Sequence, residues 1–195
     1  VDGTKLKANA SKNRNVRYDR AGELVEQLAG EVRELMEQAE RTDRQDEVDG
    51  QILPEEISRR NDLKCKLEAA RRRLEARAKT KAESEQAGAE AKPRGVTSKN
   101  PTRPPRSEEQ ENLTDPDSRL MCKSKRSGYE QAHNAQAAVD ADGSQLVLSA
   151  RVSQCSSDRN ELAPTVNAIP ANIGNPCVVL ADNGYLNEKQ VRKLE

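Results

Sequence analysis

Tryptophan and phenylalanine are absent from the 195-residue sequence, and tyrosine occurs only three times. Without large aromatic rings, any core has to be assembled from aliphatic side chains that bury less area each. Those are sparse too: 33% of residues are hydrophobic and 34% are charged. Such a chain is too polar for one compact core throughout and calls for a long, solvated helical part. The sequence shows no apolar run long enough to span a bilayer and no signal-peptide pattern, so the cytoplasm is the default expectation and no membrane partner is expected. Excess charge of either sign is also missing, with 33 basic and 33 acidic residues. The four cysteines, Cys65, Cys122, Cys155 and Cys177, lie far apart without paired ligand spacing, which argues against zinc and implies no disulfide framework.

The charge that is present is unevenly spread. The first twenty residues carry Lys5, Lys7, Lys12, Arg14, Arg17 and Arg20 against Asp2 and Asp19. A second basic cluster contains Arg119, Lys123, Lys125 and Arg126. Clusters of this kind can neutralise phosphates, although a charged run is more commonly a solvated face.

Residues 1–17 show no helical stripe; Asp2-Gly3-Thr4 and the residues to Ala8 read as the tail of a strand, followed by a basic loop. From Tyr18 to about Arg41, Leu24, Leu28, Val32, Leu35 and Ala39 recur on one face of a helix. Thr42 to Leu53 is a polar connection. Pro54, Glu55 and Glu56 suit the first turn of a second helix, in which Leu63, Leu67, Ala70 and Leu74 repeat close to a heptad. With that helix running to about Glu85, residues 18–85 form an antiparallel hairpin whose arms, at ~1.5 Å per residue, are on the order of 35–45 Å long. Residues 86–111 are a basic linker in which prolines block helix and ladder hydrogen bonds.

Residues 112–195 are expected to form the core. His133 to Ala141 and Gln145 to Gln154 read as strands joined at Asp142-Gly143. Asp158 is placed to cap a helix through Leu162, Val166 and Ile169. Pro176 to Glu188, PCVVLADNGYLNE, reads as a buried strand over Cys177, Val178, Val179 and Leu180 that ends at Asp182, then a turn, then a helix from Asn187. A carboxylate just beyond such a strand stands where α/β folds place their chemistry; Asp-Asn-Gly is equally a good turn former. His133 reads as structural or surface; Asp115, Asp117, Asp140 and Asp142 read as turn formers, and one of Asn134 and Gln136 is expected to face the site.

The segments VDGTKLKANAS (Val1–Ser11), NLTDPDSRLM (Asn112–Met121), HNAQAAVDADGSQLVLSARVSQ (His133–Gln154) and LADNGY (Leu180–Tyr185), in this order, resemble bacterial insertion-sequence transposases of the DDE type. The resemblance implies an α/β fold: an RNase H-like mixed sheet, incomplete, with the helical hairpin inserted after the first strand. It places the first catalytic Asp at Asp2 and the second at Asp182, with Gly184 and Tyr185 completing that motif. It implies that both are metal ligands in a two-ion site for Mg²⁺ or Mn²⁺, and that the partners are DNA, at the element's ends and target, with a possible homodimer at the bacterial nucleoid.

The reaction that the resemblance implies is metal-dependent strand cleavage and strand transfer, an in-line displacement at phosphorus that two divalent ions about 3.5–4 Å apart can support. The family's third acid is a Glu on a later helix, among Tyr, Arg and Lys at set spacings. Glu188 and Glu195 lack those neighbours and neither is assigned. The chain therefore reads as a fragment, beginning at Val1 within its first strand and inactive as given, with the third Glu beyond residue 195. Two other functions compete with this reading: a helical-hairpin dimerisation module, and a DNA-binding remnant without catalysis.

Overall fold

The computed structural model describes residues 1–43, 52–90, 104–122 and 128–194, and it divides into two compact units. One comprises Val1–Asn13 with Thr114–Glu195, the other Arg14–Leu113. The fold is mixed α/β, with long helices and antiparallel sheets.

The first strand, β1 (Asp2–Lys7), belongs to the unit of Val1–Asn13 with Thr114–Glu195, and the Arg14–Leu113 unit holds β2 (Asn15–Arg17), α1 (Tyr18–Asp43), α2 (Ile52–Glu90) and β3 (Gln110–Asn112). The two helices pack antiparallel, since Tyr18 near the start of α1 meets Glu75 and Arg71, while Glu31 further along meets Arg60. Their seam consists of Ala21, Leu28, Leu67 and Ala70, with Leu24, Val25, Val16 and Leu113 packed against it. This is the expected stripe of α1 meeting the near-heptad of α2, although Leu63 is 40% exposed and lies outside the seam.

At ~1.5 Å per residue, the 26 residues of α1 span about 39 Å. The 39 residues of α2 span about 58 Å at the same rise. The second arm is longer than the sequence predicts because it begins at Ile52 and continues to Glu90, where Ala, Glu, Lys and Gln sustain the helix. The Asp49-Gly50 connection and most of the Pro-rich linker lie outside the described residues.

Beside the seam, β2 and β3 form a two-stranded antiparallel ladder, Asn15 opposite Asn112 and Val16 opposite Glu111. Glu111 is fully buried, and its carboxylate pairs with Arg73 at 2.7 Å and with Arg77, both on α2. The two guanidiniums keep partial access to water, whereas the carboxylate has none.

The other unit is built on one antiparallel sheet. The central strand is β5 (Tyr129–Val139); β1 lies along one side, and β4 (Arg119–Cys122) and β6 (Val147–Ser153) share the other. The register sets Gly3 against Gln136, Lys5 against Asn134, and Gln136 against Arg151. The β5–β6 hairpin turns where Asp142-Gly143 was expected, with Gly143 at φ +90° and a register shift between Ala138 and Val139. Asp140 accepts from the Asp142 N–H and the Ser144 hydroxyl, which accounts for it as a turn former. On the sheet lies a short helix α3 (Leu162–Val166), joined to it where the Ser149 hydroxyl donates to the Thr165 carbonyl at 2.7 Å. Leu162, Val166 and Tyr185 form the apolar cluster there, with Val1, Ile169 and Leu194 against it.

Three expectations need correction. Cys177 to Leu180 is not a buried strand: Val178 is 76% and Leu180 69% exposed, and the segment has no ladder. Its apolar composition lacks the paired strand that would turn it into sheet; the recorded bond is from the Val1 amine to the Leu180 carbonyl, at 2.6 Å. Asp158 does not cap a helix; Ser157 caps the 3₁₀ turn Asp158–Asn160 that precedes α3. Finally, Asp2 opens β1 rather than ending a strand. The helix expected from Asn187 is present as α4 (Glu188–Val191), with the Asn187 side chain accepting from the Lys189 N–H.

The Glu111 cluster yields an asymmetric prediction. Replacing Arg73 and Arg77 together by Met strands a buried carboxylate and should cost about 3–5 kcal/mol, whereas Glu111→Met, which removes the buried charge itself, should cost clearly less. Urea unfolding followed by helical circular dichroism measures both; equal losses would contradict this account.

Candidate functional site

The face of β5 that carries Asn134 and Gln136 is polar yet buried, at 0% and 2% exposure. Polar side chains are tolerated there only when hydrogen-bonded, and both find the same acceptor. Asn134 Nδ2 donates to Asp158 Oδ1 at 2.8 Å and Gln136 Nε2 donates to it at 2.7 Å. Lys5 Nζ, from β1, reaches that oxygen at 3.2 Å. Burial by itself would raise the Asp158 carboxyl, but the donors Asn134, Lys5 and Gln136 outweigh it and hold the group below the ordinary carboxylate range. Sequence reading expected one of Asn134 and Gln136 to face the site. Both do.

Gln136 has a second partner. Its Oε1 accepts from the Tyr185 hydroxyl, a buried bond that crosses the inner side of β1 at Gly3. A Cβ at Gly3 would lie 2.8 Å from the Tyr185 hydroxyl and still closer to the Gln136 amide. Glycine at this position is thus a packing requirement, not a matter of backbone angle.

Asp182 sits two residues from a 3₁₀ turn's glycine, Asn183–Tyr185, and caps it: Gly184 N–H donates to Asp182 Oδ1 at 2.8 Å. A Cβ on Gly184 would stand 2.9 Å from that oxygen. Asp2 is arranged alike, its Oδ1 accepting from the Gly3 N–H at 2.7 Å. Both aspartates are exposed.

Asp2 and Asp182 adjoin two contacts between their segments, the Val1 amine to the Leu180 carbonyl at 2.6 Å and Gly3 beneath the hydroxyl of Tyr185. Its hydroxyl is pushed up to about 12, first by burial and then by the negative charges of Asp158, Asp2 and Asp182, against a lowering by Gln136. Asp2 from β1 and Asp182 from a turn 180 residues later therefore lie within electrostatic reach of one hydroxyl. Residues 101–195 match the family model described as the transposase DDE domain. Over those residues the chain is similar to DDE-type transposases. No match was found among curated proteins or among solved structures. The DDE-domain match contains Asp182 and the Gln136–Tyr185 pair, while Asp2 precedes it.

DDE transposases generally use divalent metal ions. Exposed carboxylate oxygens are the donors that hard divalent cations prefer, so Asp2 and Asp182 suit such an ion chemically. Among the described residues no group of three or more His, Cys, Asp or Glu side chains is placed to hold a metal. Asp158 was missed as a member of this region because its partners are distant in sequence. The remaining candidates have structural duties: His133 Nε2 lies 3.0 Å from Asp115 Oδ2, and Asp115 also accepts from the Asp117 and Ser118 N–H groups. Burial raises the Asp115 carboxyl, but His133 and those two N–H groups lower it further, leaving it below its ordinary value.

The convergence is measurable from the tyrosine itself. The Tyr185 ionisation, as the absorbance difference between the protein and Tyr185→Phe, should have its midpoint near 12, against about 10 for a free tyrosine. Because the folded value is the higher one, this group's contribution to stability is complete below pH ~10 and is lost as pH rises through the folded value. Asp2→Asn and Asp182→Asn should each bring the midpoint down. Midpoints unmoved by either change would mean that the carboxylates do not meet at Tyr185.

Proposed function

We propose that the sheet-bearing unit serves metal-dependent DNA strand cleavage and strand transfer at the ends of a mobile element, with Asp2 and Asp182 as catalytic carboxylates and metal ligands. The carrying observation is that the Asp182 segment meets β1 at two points, the Val1–Leu180 bond and the Tyr185 hydroxyl over Gly3, together with the transposase DDE match over residues 101–195. The spatial order β6–β5–β1 supports an RNase H-like reading of the sheet. So does the Val1–Leu180 bond, which sets the segment before Asp182 alongside β1.

Mg²⁺ or Mn²⁺ bound between such carboxylates would activate the attacking oxygen and stabilise the leaving one. The chain's own part is to present two anionic oxygens from rigid backbone turns, each fixed by a neighbouring N–H. With two acidic ligands assigned among the described residues, affinity for the ion should be weak. DNA is the partner we assign. The basic residues of 1–17 and 86–111 flank the helical arm of 18–85, and residues 112–195 provide the core; the site of action would be the bacterial nucleoid, within the cytoplasm. Among the described residues no helix is long and apolar enough to cross a membrane.

The dimerisation reading is the weaker one. Leu67, Ala70 and Leu74, the seam it would use, are 1%, 0% and 2% exposed within a single chain. A dimer through that seam would first have to displace α1.

Terbium tests the metal reading directly, because a chain without tryptophan can sensitise its emission only through tyrosine. Tb³⁺ added to the protein should luminesce on tyrosine excitation, and excess Mg²⁺ should quench it. Asp2→Asn and Asp182→Asn should each weaken binding by about tenfold or more, at least what loss of a supporting residue costs a metal site. Emission that survives both substitutions would locate the ion elsewhere and remove the basis of this function.

A further inference from the structure

We propose that Gln136 and Tyr185 are positioning residues: the Gln136 amide, oriented by Asp158, holds the Tyr185 hydroxyl across Gly3 and so fixes the Asp182 turn beside Asp2. The purpose of the clasp rests on the metal-site reading above, but its geometry does not.

The orientation of the amide leaves little choice. Gln136 Nε2 donates to Asp158 Oδ1 at 2.7 Å and to Asn134 Oδ1 at 3.0 Å. Both are acceptors, so the nitrogen must face them, and the amide oxygen is left to face the tyrosine. Asp158 is itself held from β1 by Lys5. The chain of contacts thus runs from Lys5 through Asp158 and Gln136 to Tyr185, and Tyr185 is three residues from Asp182 in the same turn. The Tyr185 ring is 2% exposed and packs with Leu162 and Val166, which removes its freedom to swing. The Asp182 carboxylate is tied to that turn by the Gly184 N–H. Neither Gln136 nor Tyr185 has to touch the ion or the DNA for this role.

The position of Gly3 adds an independent constraint. Gly3 is in β1 immediately after Asp2, and any side chain there would collide with both members of the clasp. Asp2 and the surface over which the clasp closes are therefore consecutive residues of one strand. A shift of the turn relative to β1 cannot occur without breaking the Gln136–Tyr185 bond.

Two readouts test the clasp. The first needs no metal: the Tyr185 ring should show nuclear Overhauser contacts to the Gly3 α-protons beneath it. In Gln136→Leu, with native circular dichroism, those contacts should vanish from the Tyr185 ring. In Tyr185→Phe they should vanish from the ring at position 185, a unique signal because the chain has no other phenylalanine.

The second readout is Mn²⁺ affinity by electron paramagnetic resonance. Each single variant should weaken binding about tenfold, the scale for a residue that orients a ligand. The double variant should be no worse than either single, since both break one bond. Persistence of the Gly3 contacts in both variants would overturn the clasp, whatever the metal does. So would additive losses of affinity, which would mean that the two residues act separately. Should the Gly3 contacts vanish as expected while the unaltered protein fails to bind Mn²⁺, the clasp stands and the metal-site reading falls.

Discussion

The sheet-bearing unit depends on a carboxylate that most proteins would leave in water. Asp158 is partly buried against the polar face of β5, and a buried charge is costly unless donors surround it. Asn134, Gln136 and Lys5 supply them, and they come from two strands whose register is thereby fixed: Lys5 must stand against Asn134 for its ammonium to reach the same oxygen. A one-residue slip of β1 would turn Lys5 to the other face. In a chain without phenylalanine or tryptophan, this network takes the place that a large aromatic core would otherwise occupy. What apolar packing exists there is small, built on Leu162, Val166 and Tyr185.

The helical unit solves the same compositional problem differently. Its seam is narrow and aliphatic, and its outer faces carry ion pairs such as Arg20 with Glu23 on α1 and Lys64 with Glu68 on α2. Exposed pairs of that kind contribute little individually. The Glu111 cluster is of another order, because its carboxylate has no water to fall back on while Arg73 and Arg77 do. Stability in this unit is thus concentrated at Ala21, Leu28, Leu67 and Ala70 and at one buried acid.

How far the sequence could be read follows from the range of the interactions. The helices were legible because their stripes are local and periodic; the β5–β6 hairpin was legible because Asp142-Gly143 is turn chemistry in two residues. Cys177 to Leu180 was misread because an apolar run says nothing about whether a strand lies beside it. Asp158 was misread for the opposite reason. Its neighbours in sequence make it look like a helix cap, and its true partners are 22, 24 and 153 residues away. Asp2 and Asp182 came from the resemblance of their motifs, and neither spacing nor composition would have joined them across 180 residues. Tyr185 was noticed as part of a motif, but its role as the point where three acids meet depends on burial that no local pattern encodes.

The glycines of those motifs now have separate physical reasons. Gly3 is small because Gln136 and Tyr185 close over it; Gly184 is small because the Asp182 carboxylate folds back on its N–H. Neither reason involves a ligand. Each aspartate is held by a backbone N–H one or two residues on, and the Asp182 turn is tied to β5, the strand beside Asp2's, by a buried hydrogen bond between Tyr185 and Gln136. Like charges brought near one another repel, so this arrangement has to be maintained by the fold before any cation arrives to neutralise it. The neutral Tyr185 hydroxyl, kept protonated by the same charges, can do this where a second carboxylate could not. It donates to Gln136 and adds no charge of its own. On this view the Asp-Gly and Asp-Asn-Gly-Tyr segments are folding devices first, and their readiness for a divalent ion is a consequence of the geometry that folding imposes.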